Sequence, residues 1–204
     1  MKTIKIAFLF LTTISFAQDG YWDNQRVTNK EIQLSAGERI LVKSEDFPDG
    51  TTEFVYRITL LDENQKIASD LASVLKAIPD PTGITQGTGG AISLTSKISG
   101  TDKCTYAIFS DAKKATDFSK TGDAKKSCLY QNNPISKEVK VISLEKSTCL
   151  VGNSQNIWFG FESKNWILSQ KVVLEVVPWV DNKLSRGWNQ DNKNEIISSC
   201  KTST

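Results

Sequence analysis

Short segments in which apolar and polar residues alternate recur along this chain, and they limit what it can fold into. The clearest covers residues 53–61, where Phe54, Tyr56, Ile58 and Leu60 share one face. A two-residue period is typical of a β-strand with one buried face. Other segments of strand character are residues 32–34, 39–43, 91–98, 104–110, 139–144, 156–162 and 171–180. The sequence therefore predicts seven or eight short strands separated by turns.

Helical spacing occurs in only two places. Residues 68–78 carry apolar side chains one turn apart, with Ser69 placed to cap the helix and Pro79 to end it. Residues 111–126 are polar and predict a short surface helix. Strands and helices do not alternate, which argues against a parallel sheet. We expect an all-β domain over residues 18–181, an antiparallel β-sandwich of jelly-roll or immunoglobulin-like build with one or two short helices.

The first 17 residues have the pattern of a secretory signal peptide. Lys2 and Lys5 precede an apolar stretch at residues 6–14, and small residues precede a cleavage point after Ala17. The stretch is shorter than the roughly 20 residues that cross a bilayer, and no later segment reaches that length. We expect an exported protein, periplasmic, extracellular or at the cell surface, without a transmembrane segment after cleavage.

All four cysteines follow the leader, where an oxidising compartment favours disulfides. None forms a C-x-x-C motif, so we expect two disulfides and no free thiol. Of the three possible connectivities we favour Cys104 with Cys128 and Cys149 with Cys200. The second bond would hold the C-terminal tail, residues 182–204, against the domain. The large apolar residues of that tail are Trp188, Ile196 and Ile197.

The chain contains no histidine, which excludes Ser-His-Asp and Cys-His catalysis and histidine-ligated metals. Removing Lys2 and Lys5 from the 25 basic residues leaves as many as the 23 acidic ones, so nothing favours nucleic acid. The glycine-rich residues 83–90 lack the Gly-Lys-Ser/Thr ending of a phosphate-binding loop. We expect a non-enzymatic protein without a cofactor.

Carboxylates gather in two places that could in principle bind calcium. One group holds Asp46, Asp49 and Glu53, and the other holds Asp181, Asp191 and Glu195. Neither has the spacing of an EF-hand, so we assign no metal site. A hydrolase built on two facing carboxylates remains a third functional alternative.

Tryptophan is the more informative residue type. The candidate ligand-binding residues are Trp158, Trp166, Trp179 and Trp188. Exposed aromatic faces of secreted sandwiches often bind sugars or peptides, whereas buried ones fill the core. These residues support the alternative of a carbohydrate-binding module.

Five stretches of the chain carry a resemblance to a known group of proteins. They are YWDNQR (21–26), LDEN (61–64), LKAIPDPTG (75–83), WFGFESKNW (158–166) and VVPWVD (176–181). They resemble the N-terminal β-rich region of exported bacterial proteins that continue into tetratricopeptide repeats. The resemblance implies an extracytoplasmic interaction module that binds a protein or another envelope component, and it transfers no catalytic residue. The sequence holds no repeat helices, as expected for a stand-alone paralogue or a shortened copy.

Overall fold

The computed structural model describes residues 19–62, 64–78, 81, 84, 103–150 and 155–185. The strands within these ranges are β1 (Gly20–Trp22), β2 (Thr28–Leu34), β3 (Arg39–Lys43), β4 (Thr51–Leu61), β5 (Cys104–Phe109), β6 (Leu129–Ile135), β7 (Lys137–Ser143), β8 (Trp158–Ser163) and β9 (Gln170–Asp181). The helices are α1 (Leu71–Leu75) and α2 (Ala112–Thr121), and residues 182–185 form a helical turn. The expected all-β class is confirmed. The leader, the strand expected at residues 91–98 and most of the tail lie outside the described residues.

The strands form two antiparallel sheets. The β9 sheet has the order β2, β9, β4, β7, with β1 also pairing with β9, and the β8 sheet has the order β3, β8, β5, β6. Four antiparallel strand pairs are nested one inside the next along the chain. From the innermost outward they are β5 with β6, β4 with β7, β3 with β8 and β2 with β9. They are therefore the pairs of one long hairpin, folded so that successive pairs lie in different sheets.

One hydrophobic core joins the two sheets. Phe54 and Tyr56 of β4 are fully buried with Tyr106 of β5 and with Phe159 and Phe161 of β8. The ring of Tyr56 lies 5.4 Å from that of Phe159, edge to face. In both sheets the inward-facing residues alternate with outward-facing ones along each strand, as the sequence predicts. The contact between Tyr56 and Phe159 therefore follows from the two-residue period of the strands.

The central strand β9 contains two residues that a buried strand normally avoids. Glu175 is buried but forms an ion pair with Arg57 on β4 at 2.5 Å. The Pro178 oxygen accepts a hydrogen bond from the Asp23 amide, which lies in the break between β1 and β2. The Pro178 nitrogen therefore faces this break, where an N–H group is not needed for strand pairing.

Helix α2 covers the outer face of the β8 sheet. Asp111 caps it by accepting a hydrogen bond from the Lys114 amide at 2.9 Å. Ala115 and Phe118 are buried against the sheet. A Cβ atom at Gly160 would lie 2.5 Å from the Phe118 ring, so this strand position requires glycine. The short helix expected in residues 111–126 is present, and it is packed on the domain.

The helix expected over residues 68–78 is shorter in the structure, and its cap differs. Helix α1 covers Leu71–Leu75, and the capping residue is Asp70, whose carboxylate accepts a hydrogen bond from the Ser73 amide at 2.7 Å. Ser69 instead offers its carbonyl oxygen to the Arg57 guanidinium. The buried ion pair therefore fixes where this helix begins, which local spacing could not show.

The favoured disulfide pairings are wrong. Cys128, just before β6, is bonded to Cys149 in the loop after β7, and Cys104 is a buried free thiol. Strands β5 and β6 are antiparallel, with Cys104 opposite Ile135 and Ile108 opposite Leu129, so Cys104 and Cys128 lie at opposite ends of that pair. Because Cys149 is already paired, it cannot bind Cys200, which lies outside the described residues.

Candidate functional site

The connection between β8 and β9 carries the most exposed large apolar side chains among the described residues. We call residues 164–169 the apolar loop. Trp166 is 94% exposed, Ile167 87% and Leu168 67%. Three consecutive side chains of this kind form an apolar projection, which is unusual on the surface of a monomeric protein.

Buried polar groups hold the base of the apolar loop in place. The Asn165 side chain donates a hydrogen bond to the Gln170 side chain at 3.2 Å, and the Asn165 amide donates to the Ser163 hydroxyl at 3.3 Å. Gln170 and Ser163 are both buried. The Lys164 amide also donates to the Lys103 carbonyl at 3.1 Å, which ties the loop to the residue before β5. The projection is therefore carried by a fixed base.

The lysines at the two ends of the apolar loop are paired. Glu162 binds Arg39 at 2.9 Å and Lys164 at 2.7 Å. Burial alone would raise the pKa of Glu162, but the hydrogen bonds and positive charges of Lys164 and Arg39 outweigh it and hold that pKa below its usual value. Lys171 is likewise paired with Glu31 at 2.8 Å. Lys164 and Lys171, at the two ends of the loop, are therefore both paired with carboxylates.

A shallow depression lies against one side of the loop. Its volume is about 290 Å³, and Trp166 forms part of its wall. The other residues around it are Ala36, Gly37, Ser163, Lys164 and Asn165. An aromatic wall beside amide and hydroxyl groups is the general composition of a small-molecule site.

A second cavity lies at the opposite end of the two sheets, and we call it the disulfide cavity. Its volume is about 330 Å³. Its apolar walls are Ile108, Leu129, Val141, Ile142 and Leu150, and the Cys128 half of the disulfide adjoins them. Its polar lining is Glu53, Ser143, Lys146 and Ser147. The Ser147 hydroxyl accepts a hydrogen bond from the Leu150 amide at 3.0 Å, which shapes the rim of the cavity. The disulfide therefore fixes one side of an apolar opening between β6 and β7.

A cluster of titratable groups lies inside the domain near strand β7. The Tyr106 hydroxyl contacts the Tyr56 hydroxyl at 2.7 Å and donates to Glu138 at 2.5 Å. Lys140 is 2.7 Å from Glu138. Burial is the main cause that raises the pKa of both tyrosines, and the negative charge of Glu138 adds to it. Both phenols therefore stay protonated and serve as hydrogen-bonding groups of the core.

The four candidate tryptophans do not form one platform. Trp158 begins β8 and is half-buried against the residues under α2, whereas Trp166 follows the other end of that strand. Trp179 is only 1% exposed and packs edge to face on Trp22 at 5.0 Å, so it offers no surface to a ligand. Trp188 lies outside the described residues. Among the described candidates, only Trp166 presents its indole to solvent.

The first carboxylate group is engaged in local contacts. Asp46 binds Lys43 at 3.1 Å and accepts a hydrogen bond from Asn156 at 2.9 Å. These contacts, that of Lys43 first, lower the pKa of Asp46. In the part of the chain that the structure describes, no three acidic or cysteine side chains are grouped as metal ligands, and no helix is long and apolar enough to cross a membrane.

Sequence reasoning singled out Trp166 but not its neighbours Ile167 and Leu168. The signal was present, because three large apolar residues stand between the polar Asn165 and Ser169 at the end of a strand. The disulfide cavity gave no such signal, since its lining comes from four strands and a loop that are distant in the sequence.

Comparison of the sequence with protein families and with curated proteins gives no relative from which a function could be transferred. The sequence matches no protein-family model and has no significant match among curated proteins.

Proposed function

We propose that this chain is an exported, non-enzymatic binding or structural module of the bacterial envelope, and that the apolar loop is its contact surface for a protein. The observation that carries the proposal is the exposure of Trp166, Ile167 and Leu168 on a fixed base. Covering a large apolar side chain contributes roughly 1.5–3 kcal/mol, so a partner that covers all three gains several-fold that amount. Tryptophan is also one of the residue types enriched among the energetic centres of protein interfaces.

The fold we infer is a β-sandwich of the jelly-roll type. Its support is the strand order β2, β9, β4, β7 in one sheet and β3, β8, β5, β6 in the other, with nested pairs along the chain. Immunoglobulin-like domains divide their strands differently, with the first, second, fifth and fourth in one sheet. Jelly rolls are common among lectin and capsid domains, in which loops and faces bind partners.

Two observations support export. The leader at residues 1–17 has the composition of a signal peptide. The Cys128–Cys149 disulfide is of the kind that persists in oxidising compartments. Mass analysis of the processed N-terminus tests this part of the proposal. The expected result is a chain that begins at Gln18, and an intact Met1 in exported material would contradict it.

The chemistry of the available side chains supports a non-enzymatic role. The sequence has no histidine, and the buried phenols of Tyr56 and Tyr106 have raised pKa values that disfavour a role as general bases near neutral pH. The two tyrosines, Glu138 and Lys140 satisfy one another, as in a structural network.

Site-specific photocrosslinking tests the proposed contact surface. A photoreactive residue placed at Ile167 in the exported protein should give a defined protein adduct in the envelope, which mass spectrometry identifies. The Trp166→Ala and Leu168→Ser variants should reduce that adduct by at least about tenfold, because each removes an apolar contact of the projection. Tyr130→Ser, at an exposed aromatic residue on β6, is the matched control and should leave it unchanged. Equal adduct yields from all variants would refute the apolar loop as the contact.

The depression beside Trp166 favours a second candidate function, binding of a glycan. There the indole lies next to Asn165 and Ser163, which can bind sugar hydroxyl groups. A glycan site needs Trp166 and Asn165 but not Ile167 or Leu168. Binding to a glycan array that is lost in Trp166→Ala and kept in Leu168→Ser would therefore favour the carbohydrate-binding module over the protein contact.

A further inference from the structure

We propose that the apolar loop of one copy of this chain inserts Trp166 into the disulfide cavity of a second copy, so that the copies associate head to tail. This inference rests on the proposed function and names the partner of the same surface. It joins two features of the described surface, an apolar projection and an apolar opening.

The two features match in size and chemistry. A cavity of 330 Å³ lies at the lower limit of ligand pockets and has room for about one large side chain. Ile108, Leu129, Ile142 and Leu150 would surround the indole ring. The hydroxyl groups of Ser143 and Ser147 at the rim provide acceptors for the indole N–H, which a buried tryptophan usually needs.

The apolar loop and the disulfide cavity lie too far apart to contact each other within one copy, so such a contact requires two copies. The apolar loop connects Ser163, opposite Cys104, to Gln170, opposite Leu34. The cavity lies where β5 and β7 end and β6 begins, which is the other end of the same sheets. A loop with a fixed base cannot reach the far end of its own domain. Contact between unlike surfaces of identical chains gives a ring or an open chain of copies.

A lipid surface is the less favoured occupant of the same projection. Three apolar side chains bind a membrane stably only with a second signal, usually a cluster of free basic residues. Here Lys164 is paired with Glu162 and Lys171 with Glu31. These two paired lysines add little support of that kind, whereas a preformed apolar cavity needs none.

The association is expected to be weak. One inserted loop covers less surface than the roughly 1,200 Å² of a stable interface. Association should therefore become measurable only at about 0.1–1 mM protein in dilute solution. Concentration at an envelope surface would favour it.

Sedimentation velocity of the processed protein tests the proposal through complementary variants. Trp166→Ala removes the projection and keeps the cavity, whereas Lys146→Trp places a ring at the cavity rim and keeps the projection. Both positions are exposed, so both variants should fold.

The weight-average sedimentation coefficient of the wild type should rise with concentration, and each variant alone should remain monomeric. An equimolar mixture of the two should form a dimer and nothing larger, because only one projection and one cavity remain usable. Tyr130→Ala is the control and should associate as the wild type does.

A peptide of residues 163–170 provides a second measurement. Added to the Trp166→Ala variant, it should shift the amide signals of Leu129, Ile142 and Leu150 in NMR spectra, and a peptide with alanine at the tryptophan position should not. A monomeric wild type up to about 1 mM, or association that neither variant alters, would overturn the inference. Trp166-dependent flotation with anionic vesicles, without self-association, would overturn it in favour of lipid. Crosslinking from Ile167 to another envelope protein would still uphold the proposed function in either case.

Discussion

The hydroxyl groups of Tyr56 and Tyr106 lie 2.7 Å apart in the core and join the β9 sheet to the β8 sheet by a hydrogen bond between side chains. From Tyr106 the contacts continue outward to Glu138 and Lys140 on β7. Strand β7 is the last strand of its sheet in the described part of the chain. Charged residues that point inward from such a strand discourage pairing with another chain. The same four side chains therefore stabilise the core and protect its edge.

Removing either hydroxyl should destabilise the protein, and Tyr106→Phe should cost more than Tyr56→Phe. The Tyr106 hydroxyl contacts Tyr56, Glu138 and Lys140, whereas that of Tyr56 contacts Tyr106. We expect a loss of about 1–3 kcal/mol for Tyr106→Phe and about 1 kcal/mol for Tyr56→Phe in urea unfolding. The double variant should lose less than the sum of the two, because both changes break one shared bond. Additive losses would contradict a direct coupling.

Stability should fall at alkaline pH because of these buried groups. Burial raises the pKa of Tyr56 and Tyr106 in the folded protein, and it raises the pKa of the Cys104 thiol to about 12. Groups with a raised folded pKa stabilise the protein below their unfolded pKa, and this contribution is lost as the pH rises toward the folded pKa. For tyrosine the loss starts near pH 10 and reaches about 1.4 kcal/mol per pH unit for each group.

The measurement is the urea midpoint between about pH 8 and 11. The midpoint should decrease steeply above about pH 10 in the wild type and less steeply in the variant with phenylalanine at both positions. A slope that is the same in both proteins would show that the two phenols do not hold their protons more tightly in the folded state.

The disulfide should make a measurable contribution to stability. Cys128 and Cys149 are separated by 21 residues, and closing a loop of that length stabilises by about 3 kcal/mol in the chain-entropy description. The Cys128→Ala/Cys149→Ala variant should therefore unfold at a lower temperature by several degrees. Reductant should have the same effect on the wild type and none on the variant. A further fall on reducing the variant would reveal another disulfide.

Strand positions could be read from the sequence wherever one face of the strand is buried. Strand β4 has that pattern and was predicted nearly to its ends. Strand β6 (Leu129–Ile135) was missed because it lies at the border of its sheet and consists of LYQNNPI, with Asn132, Asn133 and Pro134 exposed. Such a strand is held by pairing with β5, and its own residues carry no apolar period.

The disulfide and the cavity could not be read in this way, since both depend on which strand ends meet. Cys128 and Cys149 come together because β6 begins at the end of the sheets where β7 finishes. The sequence indicates Trp166 as a candidate because it is a tryptophan. Its exposure, and that of Ile167 and Leu168, follows from the crossing of the chain from the β8 sheet to the β9 sheet at that point.

The buried ion pair of Arg57 and Glu175 should be the most sensitive polar contact in the described structure. Glu175 also accepts a hydrogen bond from the Leu71 amide at 2.7 Å, so it fixes the start of α1 as well. Glu175→Gln leaves the Arg57 guanidinium buried without its anion, and Arg57→Met leaves the carboxylate without its cation. Each should cost about 3–5 kcal/mol in urea unfolding, because an uncompensated buried charge remains.

The double replacement Arg57→Met/Glu175→Leu distinguishes this explanation from a general loss of packing. It removes both charges together, so it should be more stable than either single variant. Lys126→Ala is the control, since Lys126 and Asp117 form an exposed pair at 3.7 Å whose loss should cost less than about 1 kcal/mol. Hydrogen exchange should also show that the Leu71 amide loses protection in the double variant, because its acceptor is gone. A double variant less stable than both single ones would contradict this explanation and indicate a general loss of packing.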